Sequence, residues 1–291
     1  MASILNSELI INEDGSVFHL HFKPGQVGGN VILVGDPGRV KAISAYFEKI
    51  EVEAQNREFI SCTGTIKGKR VTVISTGIGT DNIDIVLNEL DALVNIDFTT
   101  REVKSKLTSL NIVRIGTSGS LQKDLPVNSW LLTHKSIGFD GLLNFYGGRN
   151  GISDLAFEDS FKKSLSWNSQ LTSPYVCNAS EELINRLSSD LVVAGVTISA
   201  PGFYGPQGRV LRLPIQDSEI NDKISVFRYD HWRITNYEME CSAIYGLSKL
   251  LGHNAATICL IIANRTAGTF SSNYPAEMEK LIKYTLDKLI K

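Results

Sequence analysis

The stretch Val31-Ile-Leu-Val-Gly-Asp-Pro-Gly38 runs four apolar residues, three of them β-branched, straight into a turn. A uniformly apolar run of this length suits a strand buried on both faces, and Gly-Asp-Pro-Gly suits the turn that ends it. Residues 39 to 47 follow with helical spacing of their apolar positions. The same strand-then-glycine pattern recurs along the chain. Val71 to Ser75 leads into Gly77-Ile-Gly79 and a helical pattern from Asn82 to Leu93, and Ile112-Val-Arg-Ile leads into Gly116-Thr-Ser-Gly119. Ile66-Lys-Gly-Lys-Arg70 sits between two β-rich runs and reads as a hairpin. Val192 to Ile198 and Ala255 to Ala263 read as strands, Cys241 to Leu251 and Ala276 to Ile290 as helices. Strands alternating with helices predict an α/β fold around a central, largely buried mixed sheet.

No Gly/Ser-rich or Pro-rich linker, repeat or low-complexity tract divides the chain, so residues 1–291 read as one domain. Apolar residues at 43% and charged residues at 21% exclude a chain that is disordered as a whole. Lys and Arg number 29 against 31 Asp and Glu, so no basic excess points to nucleic acid or an acidic membrane surface. The cysteines form no C-x-x-C pair and the histidines show no ligand spacing, which leaves no disulfide scaffold and no metal site in view. The first residues, Met1 to Gly15, lack the basic-then-apolar order of a signal peptide. The longest apolar run, Ala255 to Ala263, is too short to span a bilayer. A cytoplasmic location is therefore expected, with the sequons at Asn178 and Asn264 accidental.

In open α/β sheets ligands collect at the carboxyl ends of strands. Glycines there let backbone amides approach an anion closely, although a glycine also simply makes a tight turn. Neither G-x-G-x-x-G nor G-x-x-x-x-G-K-[ST] occurs, so a dinucleotide or nucleoside-triphosphate site has no support. Arg39 follows the first glycine turn, Arg57 lies in Asn56-Arg-Glu-Phe59, and Arg114 lies inside an apolar strand. A buried cation needs an anion, which an internal Asp or Glu supplies as well as a ligand does. With Gly35 and Thr117 nearby, the sharper reading is a phosphate cradle of guanidinium forks, backbone amides and a hydroxyl.

Asn236-Tyr-Glu-Met-Glu240 sets two acids two apart. In an extended segment they share a face and could bind vicinal sugar hydroxyls; the alternative is a solvated helix N-terminus, where acids are favoured. Phe203-Tyr-Gly-Pro-Gln-Gly-Arg209 offers an aromatic to stack on a flat ring, with Gln and Arg to read its polar edge, in what is otherwise an ordinary surface loop. His19 and His21 in Val17-Phe-His-Leu-His-Phe22 would alternate on one strand face as satisfied polar groups.

Taken in order, these segments resemble the nucleoside phosphorylase family, from Val17 to the C-terminus. The matching stretches are Val17-Phe-His-Leu, Gly35-Asp-Pro-Gly-Arg39, Arg57-Glu-Phe, Ser75-Thr-Gly-Ile-Gly79, Arg114-Ile-Gly-Thr-Ser-Gly119, Phe203-Tyr-Gly-Pro-Gln-Gly-Arg209, Asn236-Tyr-Glu-Met-Glu240 and Asn264-Arg-Thr266. The resemblance implies a three-layer α/β/α sandwich with a central mixed sheet. It implies a pentosyltransferase that cleaves uridine reversibly with inorganic phosphate, giving uracil and ribose 1-phosphate in pyrimidine salvage and catabolism. Residues matching Gly35, Arg39, Arg114 and Thr117 bind phosphate there, with Arg57 supplied by a neighbouring subunit. Met239 and Glu240 hold the ribose with Glu238 close by, and His19 reaches it from the partner. Phe203, Gln207 and Arg209 form the base pocket, joined by Ile262, Ala263 and Arg265.

The resemblance thus implies a homodimer unit with shared active sites; bacterial members are mostly hexamers and animal members dimers, and because Thr99 to Leu110 is longer than in short bacterial forms and similar to the animal enzymes, dimer and hexamer both stay open. No cofactor is implied, phosphate being a co-substrate. Gly79-Thr-Asp-Asn82 departs from the stretch that accompanies an interface potassium ion near Glu58, Ile78 and Asn82, which leaves that ion doubtful. In the implied reaction phosphate attacks C1′ of the ribose, with Arg114, Gln207, Arg209 and Glu240 carrying the catalysis, so no protein nucleophile is needed. The rivals on the same fold are a purine nucleoside phosphorylase, which typically has an acid where this chain has Asn264, and a water-using nucleosidase. A non-catalytic nucleoside-binding relative is the rival from another class.

Overall fold

The computed structural model describes residues 3–290; Met1, Ala2 and Lys291 lie outside them. The first part carries β1 (Asn30–Val34), α1 (Pro37–Ser44), β2 (Lys49–Asn56), β3 (Phe59–Ile66), β4 (Lys69–Ser75), α2 (Thr80–Asn95), the short β5 (Ile96–Asp97) and β6 (Glu102–Val103), and β7 (Asn111–Ser120). Then come β8 (Trp130–Gly138), α3 (Leu155–Ser164), β9 (Tyr175–Asn178), α4 (Glu181–Leu187), β10 (Val192–Ser199) and α5 (Ile220–Val226). The last are β11 (Arg228–Tyr229), β12 (Trp232–Glu238), α6 (Cys241–Leu251), β13 (Asn254–Asn264), β14 (Thr269–Phe270) and α7 (Tyr274–Leu289). Among the described residues no helix is long and apolar enough to cross a membrane.

β5 and β6 pair with each other, and the other strands form one sheet in the order β11-β12-β10-β8-β13-β7-β1-β4-β3-β2, with β9 beside β8 and β14 beside β13. The sheet is mixed: β1 runs parallel to β4 and β7, while β13 runs antiparallel to β8. One further pairing closes part of it. The end of β12 meets the end of β7 antiparallel, Asn236 opposite Ser120 and Tyr237 opposite Gly119, so β12, β10, β8, β13 and β7 form a ring.

The period of two in Val31-Ile-Leu-Val34 sorts the core. Val31 and Leu33 face one apolar cluster with Val86 and Leu90 of α2 and Ile244 of α6. Ile32 and Val34 face another with Val40 of α1, Leu183 of α4 and Leu281 of α7. Helices thus cover both faces of the sheet, the three-layer α/β/α arrangement. A third cluster sets Phe157 and Phe161 of α3 and Ile224 of α5 against Ile198 and Tyr237 of the outer strands. Each fully buried Val, Leu, Ile or Phe contributes about 1.5–3 kcal/mol relative to exposure.

The strand-to-helix punctuation acts locally as its chemistry requires. Asp36 caps α1 by accepting from the Gly38 amide at 2.8 Å, and Pro37 opens the helix. α2 starts after Gly79, whose φ of 102° only glycine adopts readily. The Lys67-Gly68 turn joins β3 to β4 with both residues at positive φ, the geometry that matches strand twist in a hairpin.

Two expectations are corrected. Val17 to Phe22 is a turn-rich loop with a single bridge from Val17 to Ile11, and His21 sits at φ 53°. Its buried anchors are Val17, Leu20 and Phe22, a spacing no strand satisfies, so His19 and His21 share no strand face. β7, in turn, does not stop at Ile115 but runs through Gly116-Thr-Ser-Gly119 to Ser120, paired with β13 up to Asn264. Its glycines make room for arginines: a Cβ on Gly116 would overlap Arg114 Nη1, and one on Gly119 would lie 3.6 Å from Arg265 Nε.

Candidate active site

Arg114 lies in the middle of β7, opposite Leu33 of β1 and Thr257 of β13, and is buried. Its guanidinium takes both acids of the Asn236–Glu240 segment: Nη2 donates to Glu240, and Nε lies 3.7 Å from Glu238 Oε2. Nη1 is buried without a partner. Burial alone would weaken the Arg114 cation; the two carboxylates outweigh it and raise its pKa. Gly35 borders the same space, since a Cβ there would lie 3.9 Å from Arg114 Nη2. Gly79 N–H donates to Glu240 Oε1 at 2.9 Å. Arg39, at the start of α1, spends Nη1 on the Ile115 carbonyl at 3.0 Å, and its pKa is lowered by burial and then by Arg114. Thr117 is half-buried further along β7.

The two acids differ in role. Glu238 ends β12 and Glu240 precedes α6. Glu238 accepts from the Glu240 and Cys241 amides at 3.0 Å each and from Ser199 Oγ at 2.5 Å, so it caps the helix and stands behind Arg114. Burial pushes its carboxyl up, out of the usual carboxylate range, with Arg114 opposing and Glu240 adding to the shift. Neither acid is a solvated helix end: both are buried. Met239 between them is half-buried.

A second cluster forms at the Phe203–Arg209 loop. Gln207 is buried, and its side-chain carbonyl accepts from Arg209 Nη1 and from Arg265 Nη2, each at 2.7 Å. Arg265 also donates to the Gln207 backbone carbonyl. The Arg209 guanidinium lies 3.7 Å over the Phe203 ring, and that of Arg265 lies 4.9 Å over Tyr237. Burial, then Arg209, lowers Arg265 to about 10, so it stays charged at neutral pH. Ile262 and Ala263 are half-buried at an irregularity near the end of β13. Asn264 is committed to structure: its amide donates to the Gln122 and Leu125 carbonyls at 2.9 and 2.8 Å, and its carbonyl accepts from Ala267 N–H. The two clusters adjoin, because Arg265 N–H bonds the Ser120 carbonyl at the end of β7 and Tyr237 precedes Glu238. The same loop walls a cavity of about 820 Å³, in which Tyr204 and Arg209 meet Trp167 and Leu213.

His19 and Arg57 are not gathered into either cluster. His19 Nδ1 lies 2.6 Å from Glu89 Oε1, and Glu89 also accepts from the His19 and Leu20 amides. Arg57 is exposed at the tip of the β2–β3 hairpin with φ 52°, and the neighbouring Asn56 donates to the His19 carbonyl at 3.1 Å. The two residues therefore share one surface of the chain. Beneath them Asn82 donates to Glu58 Oε1 at 3.1 Å and to the Thr76 carbonyl at 2.9 Å.

Sequence reasoning missed Glu89, Tyr237, Ser199 and the Gly116 cradle. Glu89 reads as an ordinary helix acid, and Ser199 and Tyr237 gain their partners only through strand pairing. Gly116 carried a legible signal, a glycine two residues after a strand-buried arginine, on the same face of the strand.

A sequence model described as the Phosphorylase superfamily matches residues 30–291. A uridine phosphorylase of Thermococcus kodakarensis is 28% identical over 260 residues, covering 89% of this chain and 81% of that protein. A purine nucleoside phosphorylase of Listeria welshimeri is 27% identical over 244 residues, covering 84% and 85%. A solved nucleoside phosphorylase of Trypanosoma brucei, described as showing uridine phosphorylase activity, superposes with a TM-score of 0.89. It is 30% identical and covers 97% of this chain and 99% of its own. On a match that spans residues 30–291 and on this superposition, the chain belongs to the phosphorylase superfamily.

Proposed function

We propose that the chain is a uridine phosphorylase, converting uridine and inorganic phosphate reversibly to uracil and ribose 1-phosphate. The observation that carries this is the buried Gln207 amide. With its carbonyl gripped by Arg209 and Arg265, its N–H groups are the end left for a uracil carbonyl. Phosphate would sit against Arg114, Arg39 and the Gly35 turn. Its oxygen forms a bond to C1′ as the C1′–N1 bond breaks, and the released electron pair spreads onto the uracil oxygens. Arg209 and Gln207 would stabilise that charge, an effect of about 3–4 kcal/mol for one comparable donor. Glu240 would turn to the sugar hydroxyls. Pyrimidine is favoured over purine because Asn264, bound on both sides to backbone, offers no acid to a purine ring nitrogen.

We further infer that His19 and Arg57 complete the site of a second copy, since each lies on an outer surface away from the chain's own Arg114. Phosphate itself is the nucleophile, so the reaction calls for no cofactor. Potassium is left out of the proposal because Asn82 presents a hydrogen-bond donor to the Glu58 carboxylate. Incubating the protein with uridine with and without phosphate, and following nucleoside absorbance, tests the reading. Cleavage is expected only with phosphate. Equal turnover without it would point to a nucleosidase, inosine cleaved as fast as uridine to a purine enzyme, and no turnover to a binding protein.

A further inference from the structure

Four charged groups meet around the proposed phosphate position. Arg114 and Arg39 supply two positive charges; Glu238 and Glu240 supply two negative ones. With both acids ionised, and with Asp36 at the cap of α1 exposed to solvent, the buried sum is zero before phosphate arrives. A phosphate dianion would leave two uncompensated negative charges, and a partner's Arg57 would still leave one. Unpaired charge among buried side chains is expensive, and a buried carboxyl relieves it by taking a proton. Cys241 and Cys259 face the same group but stay neutral, since burial pushes both thiols up, Cys259 to about 12.

The geometry singles out one acid. Glu240 is tied to Arg114 and to the Gly79 amide. Glu238 is the weaker partner of Arg114, and its Oε1 lies 2.5 Å from Ser199 Oγ. Ser199 Oγ has a second neighbour, Ser136 Oγ at 3.4 Å, and also accepts from Ser242 N–H at 2.9 Å. When Glu238 is ionised, Ser199 donates to it. When Glu238 carries a proton, it can donate to Ser199 Oγ, and the Ser199 hydroxyl turns to Ser136. Ser199 then holds two incoming hydrogen bonds and gives one, within a hydroxyl's capacity. Ser242 gives its own proton to Asp140 at 2.9 Å, so that carboxylate does not compete for Ser199. Glu238 Oε2 keeps the Glu240 and Cys241 amides throughout.

We propose that phosphate binding is coupled to uptake of a proton from solvent onto Glu238 Oε1. The proposal rests on the phosphate reading above and deepens it. No covalent bond changes: a dianion and a proton enter together. Phosphate affinity then falls as pH rises, approaching tenfold per pH unit where Glu238 is ionised in the free protein.

Calorimetric titration of the whole protein with inorganic phosphate at pH 8, in buffers of different ionisation enthalpy, gives the number of protons taken up. Glu238→Gln mimics the protonated acid, with its amide placed to donate to Ser199. Any protonation of phosphate itself contributes to both proteins, so their difference reports Glu238. The wild type is expected to take up about half to one proton more than Glu238→Gln. Equal uptake in two proteins that both bind phosphate overturns the proposal and leaves the phosphate reading standing. Absence of binding to the wild type overturns the phosphate reading itself. Circular dichroism checks folding; if Glu238→Gln is unfolded, Ser199→Ala, which removes the proton's acceptor, replaces it, with lowered uptake expected and unchanged uptake overturning the coupling.

Discussion

Gly116 leaves vacant the volume that Arg114 fills. Any side chain at 116 would displace the guanidinium or push on Cys259, whose Sγ lies 3.0 Å from a Cβ built there. Gly116→Ala is therefore expected to lower kcat/KM for phosphate about 100-fold, in the range for loss of one preorganised charge stabiliser, with the fold retained by circular dichroism. In an Arg114→Ala background the same change should cost little, because the group it displaces is gone. Steady-state kinetics of the two single variants and the double variant measures that coupling. Independent, additive effects would show that Gly116 serves the backbone and not the arginine.

At the scale of elements, Asn264 ties the end of β13 to the Gln122–Leu125 segment. Asn264→Asp would set a carboxylate against two carbonyl oxygens, a loss of two buried hydrogen bonds plus repulsion. A destabilisation of roughly 3 kcal/mol is expected in urea unfolding, with no gain of inosine cleavage. Inosine turnover in this variant would mean that residue 264 faces the base after all. Strands and helices were legible in the sequence wherever one local rule decided them. Val31 to Val34 carries its own burial pattern, Asp36-Pro37 its own helix start, and Lys67-Gly68 its own turn. Val17 to Phe22 has the polar–apolar alternation of a strand, but its buried anchors at 17, 20 and 22 follow a folded loop. In β7 the glycines at 116 and 119 have the look of a strand end, yet the strand runs on through them to Ser120. The space at Gly116 belongs to Arg114, two residues earlier on the same face, and the space at Gly119 to Arg265, which no neighbouring residue announces. Likewise Arg114, the two acids and the Gln207 loop were each visible. The division of labour that sets Glu238 behind Glu240 was not, since it depends on the start of α6 and on Ser199 from another strand.

At the scale of the whole molecule, a site completed by a second copy makes a numerical demand. Arg57→Ala and Arg114→Ala should each be nearly inactive alone. In a mixed dimer one site pairs an intact Arg114 with an intact Arg57, and the other lacks both. Co-refolding equal amounts makes about half the dimers mixed by random pairing into symmetric units, and half of the sites in those are whole. About a quarter of refolded wild-type activity should therefore return. A mixture as inactive as its parents, beside a recovered wild-type control, would place Arg57 outside the partner's site.

The seam where β12 meets β7 also sets when the site can exist. Arg114 and Glu240 are 126 residues apart in the chain, and they meet just beyond the seam where β12 pairs with Gly119 and Ser120. Loop closure over such a distance is among the slower steps of folding. A chain emerging from the ribosome carries its arginine, its glycine turns and most of its sheet long before it carries either acid. Until Glu238 and Glu240 have been made, Arg114 lacks both of its countercharges, so the strand on which the whole site is strung is the one whose burial must wait for the far end of the ring.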